Sequence, residues 1–127
     1  MSTAGRDPIL RVMPEPQDIN SNGHIFGGWV MSMMDRAGGI YASRLSGTRC
    51  ATVAVEAMTF HAPILMGDLI SLYASTERRG RTSLAVRLDV IAERGQTGGG
   101  EVQVTTGVFT FVALGEDLRP TPLPPER

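Results

Sequence analysis

This sequence predicts an α+β fold in which one long central helix is wrapped by a curved antiparallel sheet. Two observations carry that expectation. From Gly27 to about Ser46, Val30, Met31, Met33, Met34, Ala37, Ile40, Tyr41 and Leu45 recur at spacings of three and four, the period of a helix. Beyond Gly47 the apolar period changes to two and holds through long segments as far as Leu114. At 127 residues and 13.6 kDa the chain is the size of one domain, large enough to bury a core.

Taken in order, Ile9–Met13 reads as a short first strand that stops at Pro14. Pro14 to Asn22 is a loop rich in proline and Asx residues. The helix that follows is apolar or small nearly throughout and is expected to be buried. Ala37, Gly38, Gly39 and Ala42 leave one side of it almost bare. Each mid-helix glycine costs about 1 kcal/mol relative to alanine, so a close approach by another backbone or a ligand is expected there. Gly47 suits a C-cap. Strands are expected over Ala51–Phe60, ending before Pro63, then Leu69–Arg78 and Thr82–Glu93. In the last of these Leu84, Val86, Leu88 and Val90 share one face, Arg87 and Asp89 the other. Arg79-Gly80-Arg81 makes a tight hairpin and Gln96–Gly100 a flexible connection. Val102–Leu114 is the final strand, with a bulge expected near Gly107. Residues 1–116 form the one domain. The tail, residues 117–127, holds four of the eight prolines and is expected to be extended or disordered. A sheet edge and the open side of the helix would stay exposed in a monomer, which predicts at least a dimer.

Composition excludes several classes. Twelve basic and thirteen acidic residues leave a formal charge of −1, which gives no electrostatic case for nucleic acid or anionic membrane. No apolar run nears the roughly 20 residues that cross a bilayer, and the N-terminal stretch Met1–Asp7 has no apolar signal core. The single cysteine, Cys50, rules out an internal disulfide and a multi-cysteine metal site. A cytoplasmic protein without metal or cofactor is the natural expectation.

The chemistry concentrates in Asn20-Ser21-Asn22-Gly23-His24-Ile25-Phe26-Gly27-Gly28-Trp29, with Asp35 seven residues beyond Gly28. A polar, glycine-rich loop runs straight into the helix. Free amides at a helix N-terminus stabilise an oxyanion, and Gly27 and Gly28 have no side chains to block a carbonyl approaching them. Asp35 is the one carboxylate inside the apolar part of the helix, where burial without a basic partner is costly. It suits a general base or nucleophile, with Asn20 positioning water or substrate. Blander readings stand beside these: Asp35 as a structural helix acid, Asn20 as an Asx-turn residue, and the Met31, Met33 and Met34 cluster as core rather than acyl channel. His24 and His61 are expected to have no chemical role, and Cys50 to be a small buried hydrophobe.

The ordered combination Asn20-x-x-Gly23-x-x-Phe26-Gly27-Gly28-Trp29, Met31-Ser32-Met33-Met34-Asp35, Thr52-Val53-Ala54-Val55-Glu56, Met58-x-Phe60-x-x-Pro63 and Gly80-Arg81-Thr82-Ser83 resembles the hotdog-fold acyl-CoA thioesterases. The small bacterial broad-specificity enzymes of the YciA type are the most similar group. The resemblance runs from about residue 9 to residue 114. It implies thioester hydrolysis of acyl-CoA, a dimeric catalytic unit and often a hexamer built as a trimer of dimers, with CoA as part of substrate and product and no separate cofactor. Under it Asp35, Asn20 and Gly27 are the catalytic candidates. Gly28, Met31 and Met34 are candidates for acyl or CoA contact. Arg81, Thr82 and Ser83, with the basic hairpin around them, would hold the nucleotide phosphates, where the bland reading is a solvated turn.

Geometry constrains the site independently of any family. Gly27 and Asp35 are eight residues apart. At about 1.5 Å per residue that is roughly 12 Å along the helix axis, too far for both to serve one carbonyl. Two antiparallel helices across a two-fold axis can bring Asp35 of one subunit to Asn20 and Gly27 of the other. Two other functions remain beside hydrolysis. One is a hydratase or dehydratase on acyl thioesters, with His24 in the acid–base role; the other is a non-catalytic acyl-CoA binding module.

Overall fold

The computed structural model describes residues 6–95 and 100–126. Met1–Gly5 of the N-terminal stretch, residues 96–99 of the expected glycine-rich connection and Arg127 of the tail lie outside the described residues.

Strand β1 (Leu10–Val12) and a 3₁₀ turn over Pro16–Asp18 lead into helix α1 (Gly27–Ser46), and strands β2 (Arg49–Phe60), β3 (Leu69–Arg79), β4 (Ser83–Glu93) and β5 (Glu101–Leu114) follow. The sheet order is β1-β3-β4-β5-β2 and every pairing is antiparallel. Helix α1 packs on one face of this sheet. Gly47 ends it in the left-handed region at φ 72°, with its N–H donating to the Ser43 carbonyl at 2.9 Å. That is the conformation a glycine C-cap adopts without steric cost.

Val30, Met33, Met34, Ala37, Gly38 and Ala42 form the buried face of α1. They meet Leu84, Val86, Leu88 and Val90 of β4 and Phe109 and Phe111 of β5, all buried. Truncating a ring buried like these to alanine costs roughly 3–5 kcal/mol. The expectation of a helix buried all round fails on the other side, where Met31 and Ile40 are exposed. Among the described residues nothing covers the apolar stripe there. The close approach at Gly38 is also not to backbone or ligand. A Cβ there would sit 2.7 Å from the Phe111 ring and 3.3 Å from a Leu88 methyl, so the glycine makes room for core side chains.

The bulge expected near Gly107 is displaced. Val90 pairs with Thr105 and Ile91 with Gln103, which leaves Val104 as the extra residue of β5. Its carbonyl turns to accept the His61 and Ala62 amides at 2.8 and 3.3 Å. Gly107 keeps register with both Leu88 and Met58. Its missing side chain instead admits the Met34 methyl, which would lie 2.8 Å from a Cβ. Edge strand β2 has two irregularities of its own, between Thr52 and Ala54 and between Val55 and Ala57.

The proline-rich tail is extended and tied down. Thr121 N–H donates to the Ala113 carbonyl and Leu123 N–H to the Arg81 carbonyl, both at 2.9 Å. Arg79 reaches the Pro124 carbonyl and lies 3.5 Å from a Glu126 carboxylate oxygen.

Candidate active site

The loop from Asn20 to Phe26 is shaped by its own hydrogen bonds. Asn20 Oδ1 accepts the Asn22 and His24 amides at 2.9 and 3.1 Å, and Asn20 N–H donates to the His24 carbonyl at 2.7 Å. Gly23, at φ 80°, makes the reversal possible. The Asx-turn role of Asn20 is therefore real, and it leaves the side-chain amide nitrogen as the group that can address a substrate.

Helix α1 begins without a side-chain cap, because its N-cap residue is Phe26. The first-turn amides of Gly27 and Gly28 carry the positive end of the helix dipole and have no intrahelical acceptor. Nothing lies within 4 Å of a Cβ on Gly28, and only the Phe60 ring, at 3.5 Å, approaches one on Gly27. In front of these amides is a cleft of about 340 Å³. Asn20, His24, Ile25 and Gly27 form one wall, His61–Ile64 the other, and Val30, Phe60 and Thr105 the rest of the lining. Both histidines thus border the cleft. The His61 Nε2 lies 3.1 Å from Thr106 Oγ1.

Asp35 does not reach this cleft within one chain. It lies eight residues along the helix from Gly27, on the flank that faces β2, where Thr52 Oγ1 donates to Asp35 Oδ1 at 2.5 Å. The carboxylate expected to be buried is exposed in the single chain. The reason is the edge position of β2: Val53 and Val55 beside it are themselves 57% and 42% exposed. Met31, one turn before Asp35, is 39% exposed, whereas Met34 is fully buried among core residues. Thr52 stands in the sequence motif, but its pairing with Asp35 depends on how the helix lies against the edge strand, which no local pattern shows.

Arg81, Thr82 and Ser83 lie at the far end of the sheet. Ser83 pairs with Val112 and Arg49 with Leu114, close to the helix C-terminus, while Phe60 pairs with Thr105 next to Gly27. Within one chain the hairpin stands at the opposite end of the sheet from the uncapped amides. A different carboxylate, Glu56, is partnered on the sheet. Thr110 Oγ1 donates to it at 2.6 Å and the Arg78 guanidinium pairs with it. The Thr110 bond first, then Arg78, holds its pKa below the usual carboxylate range. Among the described residues no group of three His, Cys, Asp or Glu side chains converges as metal ligands would, and no helix is long and apolar enough to cross a membrane.

The family model of the thioesterase superfamily matches residues 22–98, which include the Gly27 amide, Asp35 and Thr52. The chain belongs to the thioesterase superfamily. An acyl-CoA thioester hydrolase of Zymomonas mobilis is 41% identical to this thioesterase over 122 residues, 94% of this chain and 79% of the relative. The acyl-CoA thioester hydrolase YciA of Salmonella typhimurium is 40% identical over 118 residues, 91% of this chain and 89% of the relative. Among solved structures, the hexameric thioesterase of Yersinia pestis superimposes with a TM-score of 0.87 at 37% identity, covering 94% of this chain and 97% of its own. The hexameric hotdog fold thioesterase of Campylobacter jejuni superimposes with a TM-score of 0.87 at 35% identity, covering 92% of this chain and 90% of its own, so the thioesterase described above has the hotdog fold.

Proposed function

We propose that this protein hydrolyses acyl-CoA thioesters to a free carboxylic acid and CoA at a site completed by two copies of the chain. One observation carries the reading: the uncapped Gly27 amide and the Asp35 carboxylate lie on one helix yet eight residues apart, both exposed. At about 12 Å of separation neither can serve the other's substrate, and a second antiparallel helix supplies the missing partner. The exposed apolar residues of β2 and of the helix flank support such a pairing. The hexameric assembly of the Yersinia relative supports further association of dimers.

In this site the thioester carbonyl oxygen sits at the Gly27 amide, where negative charge develops, and the Asn20 amide nitrogen orients the reacting group. Asp35 of the partner copy takes a proton from water as the water adds to the carbonyl carbon. The tetrahedral intermediate then expels the CoA thiolate, which recovers that proton. Direct attack by Asp35, through a mixed anhydride, gives the same products. Single turnover in oxygen-18 water tests for the second route, since label in the Asp35 carboxylate arises only from an anhydride that water opens at the Asp35 carbonyl. Arg81, Thr82 and Ser83 are proposed to contact the CoA phosphates from the far end of a neighbouring copy. The acyl group lies along Gly28 and Met31, whose surfaces are open, while Met34 shapes the wall from within the core. The reaction needs no cofactor, and a cytoplasmic setting accords with one unpaired cysteine.

The test mixes Asn20→Ala and Asp35→Ala proteins under conditions that exchange subunits. Heterodimers carry one intact site each, so about a quarter of wild-type activity returns, measured as free thiol released. No gain over the separate variants after confirmed exchange rejects the shared site.

A further inference from the structure

We propose that the ion pair between buried Asp68 and partly exposed Arg94 is a positioning clamp for the cleft, setting where the Gly27 amide stands. The inference rests on the hydrolytic reading above. Asp68 is only 3% exposed and lies in the turn that leads into β3. Its Oδ2 accepts the Leu65 amide at 2.9 Å, and its own N–H donates to the Leu65 carbonyl at 3.1 Å, around Gly67 at φ 90°. Arg94, just beyond β4, donates through Nε to both Asp68 carboxylate oxygens at 3.2 Å and through Nη2 to the Pro63 carbonyl. One guanidinium thus fixes both ends of the segment from Pro63 to Asp68, a planar two-sided grip that lysine cannot reproduce.

The grip continues toward the reacting groups. Between Pro63 and Leu65, the buried Ile64 offers its carbonyl to the Ile25 amide at 3.0 Å. Ile25 is also buried and pairs with Ile19, while the next amide, Phe26, donates to the Asp18 carbonyl at 2.9 Å. Phe26 is the helix N-cap, so the following amide is that of Gly27. The path from Arg94 to the oxyanion position therefore runs through hydrogen-bonded backbone and two buried isoleucines. The clamp also holds Pro63 and Ile64 in the wall facing Asn20 and Gly27. A small displacement of a transition-state donor lowers the rate with little effect on ground-state binding.

Two variants test this. Arg94→Lys keeps a charge for Asp68 but gives up the Pro63 contact; Asp68→Asn/Arg94→Gln removes both charges, so no buried ion is left alone. The expected result is a fall in kcat of about tenfold per folded enzyme with KM for acyl-CoA unchanged. Faster hydrogen exchange at the Ile25 and Phe26 amides accompanies it, while β4 and β5 amides stay protected. If Arg94→Lys folds poorly, the double variant supplies the same readings. A kcat per folded enzyme equal to wild type in the variant that folds overturns the clamp, as does unchanged exchange at Ile25 and Phe26. The exchange measurement needs no substrate. A wild-type protein that releases no thiol therefore rejects the hydrolytic reading, while the exchange result still decides whether the clamp exists.

Discussion

Asp35 lies exposed in the single chain, where the proposed site places a second copy. Among the described residues the Thr52 hydroxyl donates to one carboxylate oxygen and leaves the other for a proton. Replacing Asp35 with Asn keeps the shape and the Thr52 contact but removes the base. Turnover is expected to fall at least about a hundredfold with fold and assembly intact, as checked by steady-state thiol release beside circular dichroism and sedimentation. Full turnover in a folded Asp35→Asn protein would take the residue out of the chemistry. Asp35 and the two glycines stand out as candidates in the sequence because a lone carboxylate in an apolar helix and side-chain-free amides at its start are local features. Thr52 and Arg94 do not, since each matters only through a partner that tertiary packing brings to it.

At the scale of elements, α1 and β5 meet through a missing side chain. Gly38→Ala drives a methyl to 2.7 Å from the Phe111 ring, whereas the nearest atom to a Cβ on Gly39 is 3.9 Å away. Gly38→Ala should cost about 1–3 kcal/mol through overpacking, while Gly39→Ala should stabilise by up to about 1 kcal/mol through helix propensity. Urea unfolding of the two variants gives the comparison, and equal midpoints would contradict the packing account. The helix bounds were readable to the residue because period and C-cap agree, but the Val104 bulge was not, because it answers the chain's need to receive the His61 and Ala62 amides. On the sheet, Ala85 pairs with both Arg78 and Thr110, so Arg78 crosses a small residue to reach Glu56. The Glu56 pKa is lowered on folding, so the ionised form is stabilised above its ordinary value of 4.5 and the benefit fades as pH drops through the lower folded value. Glu56→Gln should therefore unfold at a lower temperature than wild type at pH 7, with the two melting curves converging below pH 4.5. A gap that stays constant on acidification would mean the loss is one of shape rather than charge.

For the whole molecule, among the described residues the edge of β2 is unpaired and apolar residues on the flank of α1 are exposed. Charges placed there, as in Val53→Arg with Val55→Arg, should yield a smaller species by sedimentation and abolish hydrolysis together, because the proposed site needs two copies. A monomeric double variant that still turns over substrate would show the site complete in one chain. The exposed sheet edge and open helix side were already legible in the sequence, whereas the separation of the Arg81–Ser83 hairpin from the cleft emerged only from strand order.

That strand order also bears on how the protein is made. The last strand, β5, lies between β4 and β2, so two inner edges of the sheet stay open until it arrives. A nascent chain halted before Glu101 holds α1, β2, β3 and β4 but has no partner for β2, and the rings of Phe109 and Phe111 are not yet there to fill the space beside Gly38. In synthesis from the N-terminus β5 is therefore the keystone of the sheet, and β2 stays without its strand partner until β5 has followed β3 and β4. Chains truncated within β5 should be captured by chaperones or lost to proteolysis, while full-length chains close in one cooperative step.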